Sequence, residues 1–257
     1  LLGLKSIIYP ELKFKEKVAV LGMPQSKHWV LMPYANDAAN GLLTNYAGHE
    51  LSRLIGLEWT PSMKPVEVVL NGDYIGLYFI AENVRAAADR VQIADYGDPT
   101  YSEADDFLLE FGSGLADDGT ELFYSWTSDN GFENKLVTST PAREDIYDNI
   151  TVVEGDAIAA RIRENLAGHV DALKAAVAGA KARPMSADWT QVIDPEQAAK
   201  YYVVQEIMDD AKSFTDNFYM HHTTGSRWMM GPVWDFGNAF TSDGNKTALI
   251  HENEGYN

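Results

Sequence analysis

Apolar residues change period along this chain, and the change predicts where strands give way to helices. LKFKEKVAVLG (12–22) alternates and then runs apolar, a strand pattern that puts Lys13, Lys15 and Lys17 on one face. KHWVLMPY (27–34) predicts a second strand. Over 36–57 the spacing becomes helical: Leu43, Ala47, Leu51 and Leu54 form an apolar stripe, Asn36 or Asp37 offers an N-cap, and Gly56 offers a stop. Two β-rich runs within 64–84 flank Asn71-Gly72-Asp73. This is the clearest hairpin signal in the chain, because Asn and Gly tolerate the positive φ that tight turns demand. Residues 105–112, 121–126 and 134–141 predict three more strands.

After about residue 143 the pattern turns helical. Residues 155–182 are Ala-rich with helical period, and 194–211 opens with Asp194 as N-cap and Pro195 at the first helical position. FYMHH (218–222) and RWMMGPVWDFG (227–237), separated by a Gly-containing turn, predict a second hairpin. The order predicts an α+β fold over 1–257 as a single domain, with a β-rich part over 1–143 and a mainly helical part over 144–257.

Composition narrows the functional classes. The 257 residues are 46% hydrophobic, enough for a full core. With 20 Lys+Arg against 38 Asp+Glu, the formal charge is −18. Such a surface repels nucleic acid and anionic lipid, and an anionic ligand would need local lysines or bound cations. The absence of cysteine excludes a disulfide framework, a thiol nucleophile and a Cys-ligated zinc. No apolar run approaches the length of a membrane span, and no signal peptide opens the chain. The start at Leu1 and the end at Asn257 inside a polar stretch suggest a processed or partial chain.

Candidate chemistry concentrates near the C-terminal end. GPVWDFGNAF (231–240) places Asp235 between Trp234 and Phe236, where a carboxylate needs a partner or an ion. Asp-Phe-Gly is also the triplet with which protein kinases hold Mg²⁺ at ATP phosphates. Upstream, QEIMDDAKSFTDNFYMHH places Asp209, Asp210 and Asp216 at a helix end and Asn217 at the start of a strand, the local layout of a kinase catalytic loop and metal loop. The alternative is a solvated acidic helix end with Asn217 as a turn residue. Asp and Asn oxygens suit Mg²⁺, which takes carboxylates, amide oxygens and water. His221 and His222 are adjacent on a strand, point to opposite faces and read as structural. His49-Glu50 lacks the second His of a zinc-protease motif. Glu82 ends a strand beside Asn83, facing either a cleft or solvent. Gly-x-Gly-x-x-Gly, Walker A and Gly-x-Ser-x-Gly motifs are absent.

Four segments together carry a family resemblance. VLGMPQSKHWVLMPYAND, VVLNGDYIGLYFIAENV, YYVVQEIMDDAKSFTDNFYMHH and WMMGPVWDFGNAF occur in the order of, and resemble, the motifs of the CotH family, spore-coat-protein-H-like secreted kinases. The resemblance implies a divergent, two-lobed protein-kinase-like fold and ATP with Mg²⁺ or Mn²⁺. It also implies phosphoryl transfer to Ser or Thr of a secreted or surface protein, and an extracellular or cell-surface location. Carried over by position, Asp235 and Asn217 become metal ligands, Lys13 the phosphate-binding lysine and Glu50 its ion-pair partner, with Glu82 closing the family's hairpin motif at the cofactor cleft. The family's catalytic Asp falls six residues after Glu206, which here is Lys212. Asp210 or Asp209 is then the expected base. The other reading is a relative without transferase activity, a surface module keeping the fold for binding or assembly.

Overall fold

In the computed structural model, the structure describes residues 11–33, 43–94, 105–112, 115, 123–127, 133–141, 146, 151–210 and 214–240. Asn36, Asp37 and Lys212 lie outside the described residues. The protein is α+β, as its pattern predicts: the described residues form two antiparallel sheets and three α-helices. The first sheet comprises β1 (Glu11–Val18), β2 (Ser26–Pro33), β3 (Met63–Leu70) and β4 (Asp73–Glu82), in the order β1-β2-β4-β3. The β3–β4 hairpin turns at Asn71 (φ 53) and Gly72 (φ 95), the left-handed pair its sequence demands. Pro65 is tolerated because β3 is an edge strand.

The second sheet crosses the compositional boundary. It joins β5 (Phe107–Phe111), β6 (Phe123–Thr127) and β7 (Glu133–Thr140) to β8 (Phe218–His222) and β9 (Met229–Met230), in the order β6-β7-β5-β8-β9. The change in composition near residue 143 is therefore not where the sheets divide. They divide between Glu82 and Phe107, and the C-terminal hairpin completes a sheet begun more than a hundred residues earlier.

β5 is the centre of that sheet, and its Phe107, Leu108 and Leu109 are fully buried. Alternation divides them. Phe107 and Leu109 join Leu136, Met220 and Trp228 against helix α2 (Val152–Ala182). Leu108 joins Tyr219, Val91 and Ile93 on the other side. α2 presents Ala159, Ile162, Leu166, Val170 and Leu173 at helical spacing to this core. It starts earlier than its Ala-rich run suggests, because Thr151 and Glu154 form a reciprocal capping box. α3 (Pro195–Met208) begins as expected, Asp194 accepting from the N–H groups of Glu196 and Gln197, and stops at Asp209 in a left-handed conformation.

α1 (Thr44–Ile55) departs from expectation. Gly56 ends it with φ 85, as predicted, but Leu43, Ala47 and Leu54 are exposed. The buried face is Thr44, Asn45, Gly48, His49 and Ser52. Small and hydrogen-bonding residues face inward because an aromatic segment from the far end of the chain lies across them.

Candidate functional site

That segment is Trp234-Asp235-Phe236-Gly237. Phe236 is buried among Tyr201, Val204 and Met208 of α3, together with Val233 and Ala239. Its ring lies directly on α1: a Cβ at Gly48 would stand 2.3 Å from Phe236 Cδ2. The Phe236 N–H donates to buried Asn45 Oδ1 at 2.6 Å. His49 meets the rings of Trp234 and Phe236 edge-on, with centroids 6.1 and 5.5 Å apart. Trp234 then packs on Val30, Met32, Met63, Phe79 and Ala81 of the first sheet, and on the Leu108–Tyr219 side of the second. The Asp-Phe-Gly triplet thus lies where α1, α3 and both sheets meet.

Asp235 adopts φ 58, and its Oδ1 accepts from the Gly237 N–H at 3.0 Å. This Asx turn aims the carboxylate along a defined backbone. Asn217, also left-handed at φ 55, immediately precedes β8. Because Met220 pairs with Met230, Asn217 and Asp235 emerge from the same end of the β8–β9 hairpin. Asp209 caps α3 with φ 49, its N–H bonded to the Glu206 carbonyl. Asp210 is 4% exposed, and its charge adds to burial in pushing the Tyr201 hydroxyl upward. The Phe240 N–H donates to the Met208 carbonyl, so the chain leaving Asp235 returns to the helix end that carries both aspartates. Among the described residues, no three of His, Asp and Glu converge as a metal-holding group, so the Asp and Asn oxygens here would need phosphate oxygens or water to complete a shell.

Three residues expected around the cofactor do not gather in one place. Cross-strand partners share a face, so Lys13, opposite His28, lies on the side of Val30 and Ala81, the side packed by Trp234. Glu82, opposite Trp29, lies on the other side. There its Oε2 accepts from the Ser62 N–H at 2.9 Å, and its Oε1 stands 3.8 Å from Arg90 Nε. Burial raises the Glu82 carboxyl above the usual range, opposed by Ser62 and Arg90. Arg90 is itself buried, donates to the carbonyls of Asn83 and His28 and to Asn83 Oδ1, and lies over the Trp29 ring. Glu82 thus sits beside Arg90 on the face opposite Lys13, its Oε1 buried without a hydrogen-bond partner. Glu50 is exposed and pairs with Arg53 at 2.6 Å, so the described ion pair of this glutamate is within α1 rather than with Lys13.

Sequence reasoning missed Asn45, Gly48 and His49, the residues that seat the triplet. Their signal is a glycine beside a histidine on one turn of a helix, of which only the histidine stands out, as part of an incomplete zinc motif. His49 Nδ1 donates to the Asn45 carbonyl, and burial lowers its pKa to about 4. His221 and His222 do face opposite ways. His221 contacts Glu58 and Gly231, whereas His222 contacts the carbonyls of Asp105 and Ser226.

No helix among the described residues is long and apolar enough to cross a membrane. No curated protein matches the chain. Comparison with known families matches residues 7–257 to the family described as CotH kinase protein. The match covers the Asp-Phe-Gly segment, the α3 end and the β3–β4 hairpin together, and the chain belongs to the CotH kinase family.

Proposed function

We propose that the protein is an exported kinase of two-lobed, kinase-like fold that transfers phosphate from ATP to Ser or Thr of secreted or surface proteins. The observation that carries this reading is the seating of Asp235. A turn residue of a solvated loop has no need of a glycine cut into a helix, an aromatic on each side and a buried amide acceptor. That rigidity suits a ligand whose oxygen must sit within a fraction of an ångström of its ion. Asp235 and Asn217 would hold Mg²⁺ or Mn²⁺, and Lys13, on the same side of the first sheet as Trp234, would meet ATP phosphates. The divalent ion, when bound, neutralises charge on the transferring phosphoryl group. Asp210 or Asp209 would accept the hydroxyl proton, since Lys212 while charged cannot. Glu50 and Glu82 are left to α1 and to the Arg90 network.

A second reading, a surface module without transferase activity, rests on Lys212 at the family's Asp position. Label transfer from γ-labelled ATP to Ser-rich acceptors with Mn²⁺ decides between them. The kinase reading expects incorporation that Asp235→Asn and Asp210→Asn abolish and Lys212→Ala spares. Absence of label with wild type, together with its appearance in Lys212→Asp, establishes the surface module.

A further inference from the structure

The backbone that delivers Asp235 is held at two points. One is the bond from Phe236 to Asn45 already described. The other is Gly231, four residues before Asp235, whose φ of 107 is open only to glycine. Its N–H donates to the Tyr219 carbonyl at 2.8 Å, and its carbonyl faces His221 Nδ1 at 3.0 Å. The other ring nitrogen of His221 is 2.9 Å from Glu58 Oε2. Glu58 belongs to the segment leaving α1, and its own N–H donates to Gln197 Oε1 of α3. His221 therefore ties the strand that leads to Asp235 to the α1–α3 pair against which Phe236 packs.

Both oxygens facing His221 accept and neither donates. A neutral imidazole has one N–H and satisfies one of them; the doubly protonated ring satisfies both. The contact to the Gly231 carbonyl is buried, so leaving it unmatched is costly. The Glu58 carboxyl is held below the usual range, first by its hydrogen bond to His221. The pair borders an open cavity of about 440 Å³ lined also by Gln92, Gln191, Asp194 and Arg227, which gives protons a route to the ring. The other charges there are matched, Arg227 pairing with Asp194 at 2.6 Å.

We propose that His221 is a positioning residue for Asp235, acting through the Gly231 carbonyl and anchored on its other side by Glu58. Its role at a metal site rests on the function proposed above; the clasp itself does not. Loss of the ring proton leaves a lone pair facing either the carboxylate or the carbonyl, and the 231–236 segment loosens.

The test combines backbone hydrogen exchange over 231–237 with calorimetric titration of Mn²⁺ and ATP, on wild type, His221→Gln and Glu58→Gln across pH 5.5–8.5. Glu58→Gln alters a half-exposed side chain and isolates the charge. In wild type, protection of the Phe236 and Gly237 amides, corrected for intrinsic rates, should step down as pH rises through the range where histidine deprotonates. In Glu58→Gln, which removes the carboxylate anchor of the ring, protection should already be lower before that step. In His221→Gln it should vanish, with affinity for Mn²⁺·ATP about tenfold weaker at pH 6. A step that persists in His221→Gln belongs to another group and overturns the proposal, as do superimposable profiles for wild type and Glu58→Gln. If wild type binds no Mn²⁺·ATP, the kinase reading falls, and the exchange pattern alone upholds or overturns the clasp.

Discussion

The two faces of the first sheet each hold a strongly polar feature within apolar surroundings, and they hold it differently. Behind the sheet, Glu82 is paired with Arg90: one carboxylate oxygen takes the Ser62 N–H, the other lies 3.8 Å from the guanidinium, and the guanidinium takes backbone carbonyls and an aromatic face. In front, the Asp235 segment is held by its backbone and its neighbours' rings, while the carboxylate is turned onto Gly237. A buried acid given its own arginine is a structural device. An acid aimed by rigid flanking residues can serve something that arrives later. On this contrast, changes behind the sheet alter stability alone, whereas changes in front alter ligand binding beyond their effect on stability.

The largest stability effect is expected at Arg90. Arg90→Leu strips a buried carboxylate of its partner, which costs about 3–5 kcal/mol. Burial already raises Glu82, so its ionisation opposes folding, and the stability it contributes is lost as pH rises through its folded pKa. Without Arg90 that loss deepens, so the variant should be weakest at neutral pH and recover toward acid. Urea denaturation at pH 5 and pH 7 checks this, and an equal deficit at both values would show that Glu82 does not cause it. Where the variant is folded, its Mn²⁺·ATP affinity should match wild type.

His49 offers the opposite pH signature from the front face. Its folded pKa of about 4 lies below the usual 6.5, so the unfolded chain binds more protons between these values. Stability from this residue is complete above pH 6.5 and falls as pH drops toward 4, by about 3 kcal/mol over the window. His49→Leu should flatten the acid limb of the melting-temperature profile. A variant with the wild-type slope would place the acid sensitivity elsewhere.

These residues also mark where sequence stops being informative. The β3–β4 hairpin and the start of α3 were readable because their causes are local: Asn71-Gly72 sets a turn, and Asp194-Pro195 sets a cap. The strands at 107–111, 123–127 and 133–140 were readable from their composition, but not which sheet they would join, because the pairing of β5 with β8 links residues far apart in the chain. α1 was misread because hydrophobicity is the usual guide to a buried face. Here the inward residues answer to Phe236, which needs a missing side chain at Gly48 and an acceptor at Asn45. Asp235 was found from its triplet alone, and its seating from nothing local.

Gly48→Ala tests that seating directly. The new Cβ would overlap the Phe236 ring, an overpacking worth about 1–3 kcal/mol. Because the ring adjoins Asp235, Mn²⁺·ATP affinity should fall further than the lost stability accounts for, measured well below the melting temperature. A destabilised variant that binds normally would place the front face alongside the Arg90 network, as packing only.

The smallest stability effect is expected at Lys13. The side chain is exposed on an edge strand, so Lys13→Ala should change stability by no more than about 0.5 kcal/mol. Its register nevertheless puts it on the Trp234 side of the sheet. In a chain of charge −18, a lysine on that side is a local counter-charge for an incoming polyphosphate. Loss of one charge-assisted hydrogen bond should weaken Mn²⁺·ATP binding about tenfold and reduce its dependence on salt. Glu50→Gln should leave affinity unchanged, because Glu50 pairs with Arg53. Undiminished affinity in Lys13→Ala would make Lys13 an ordinary surface lysine and leave the phosphates to the metal ion alone. Weakened binding without weakened folding would set Lys13 apart from every residue behind the sheet.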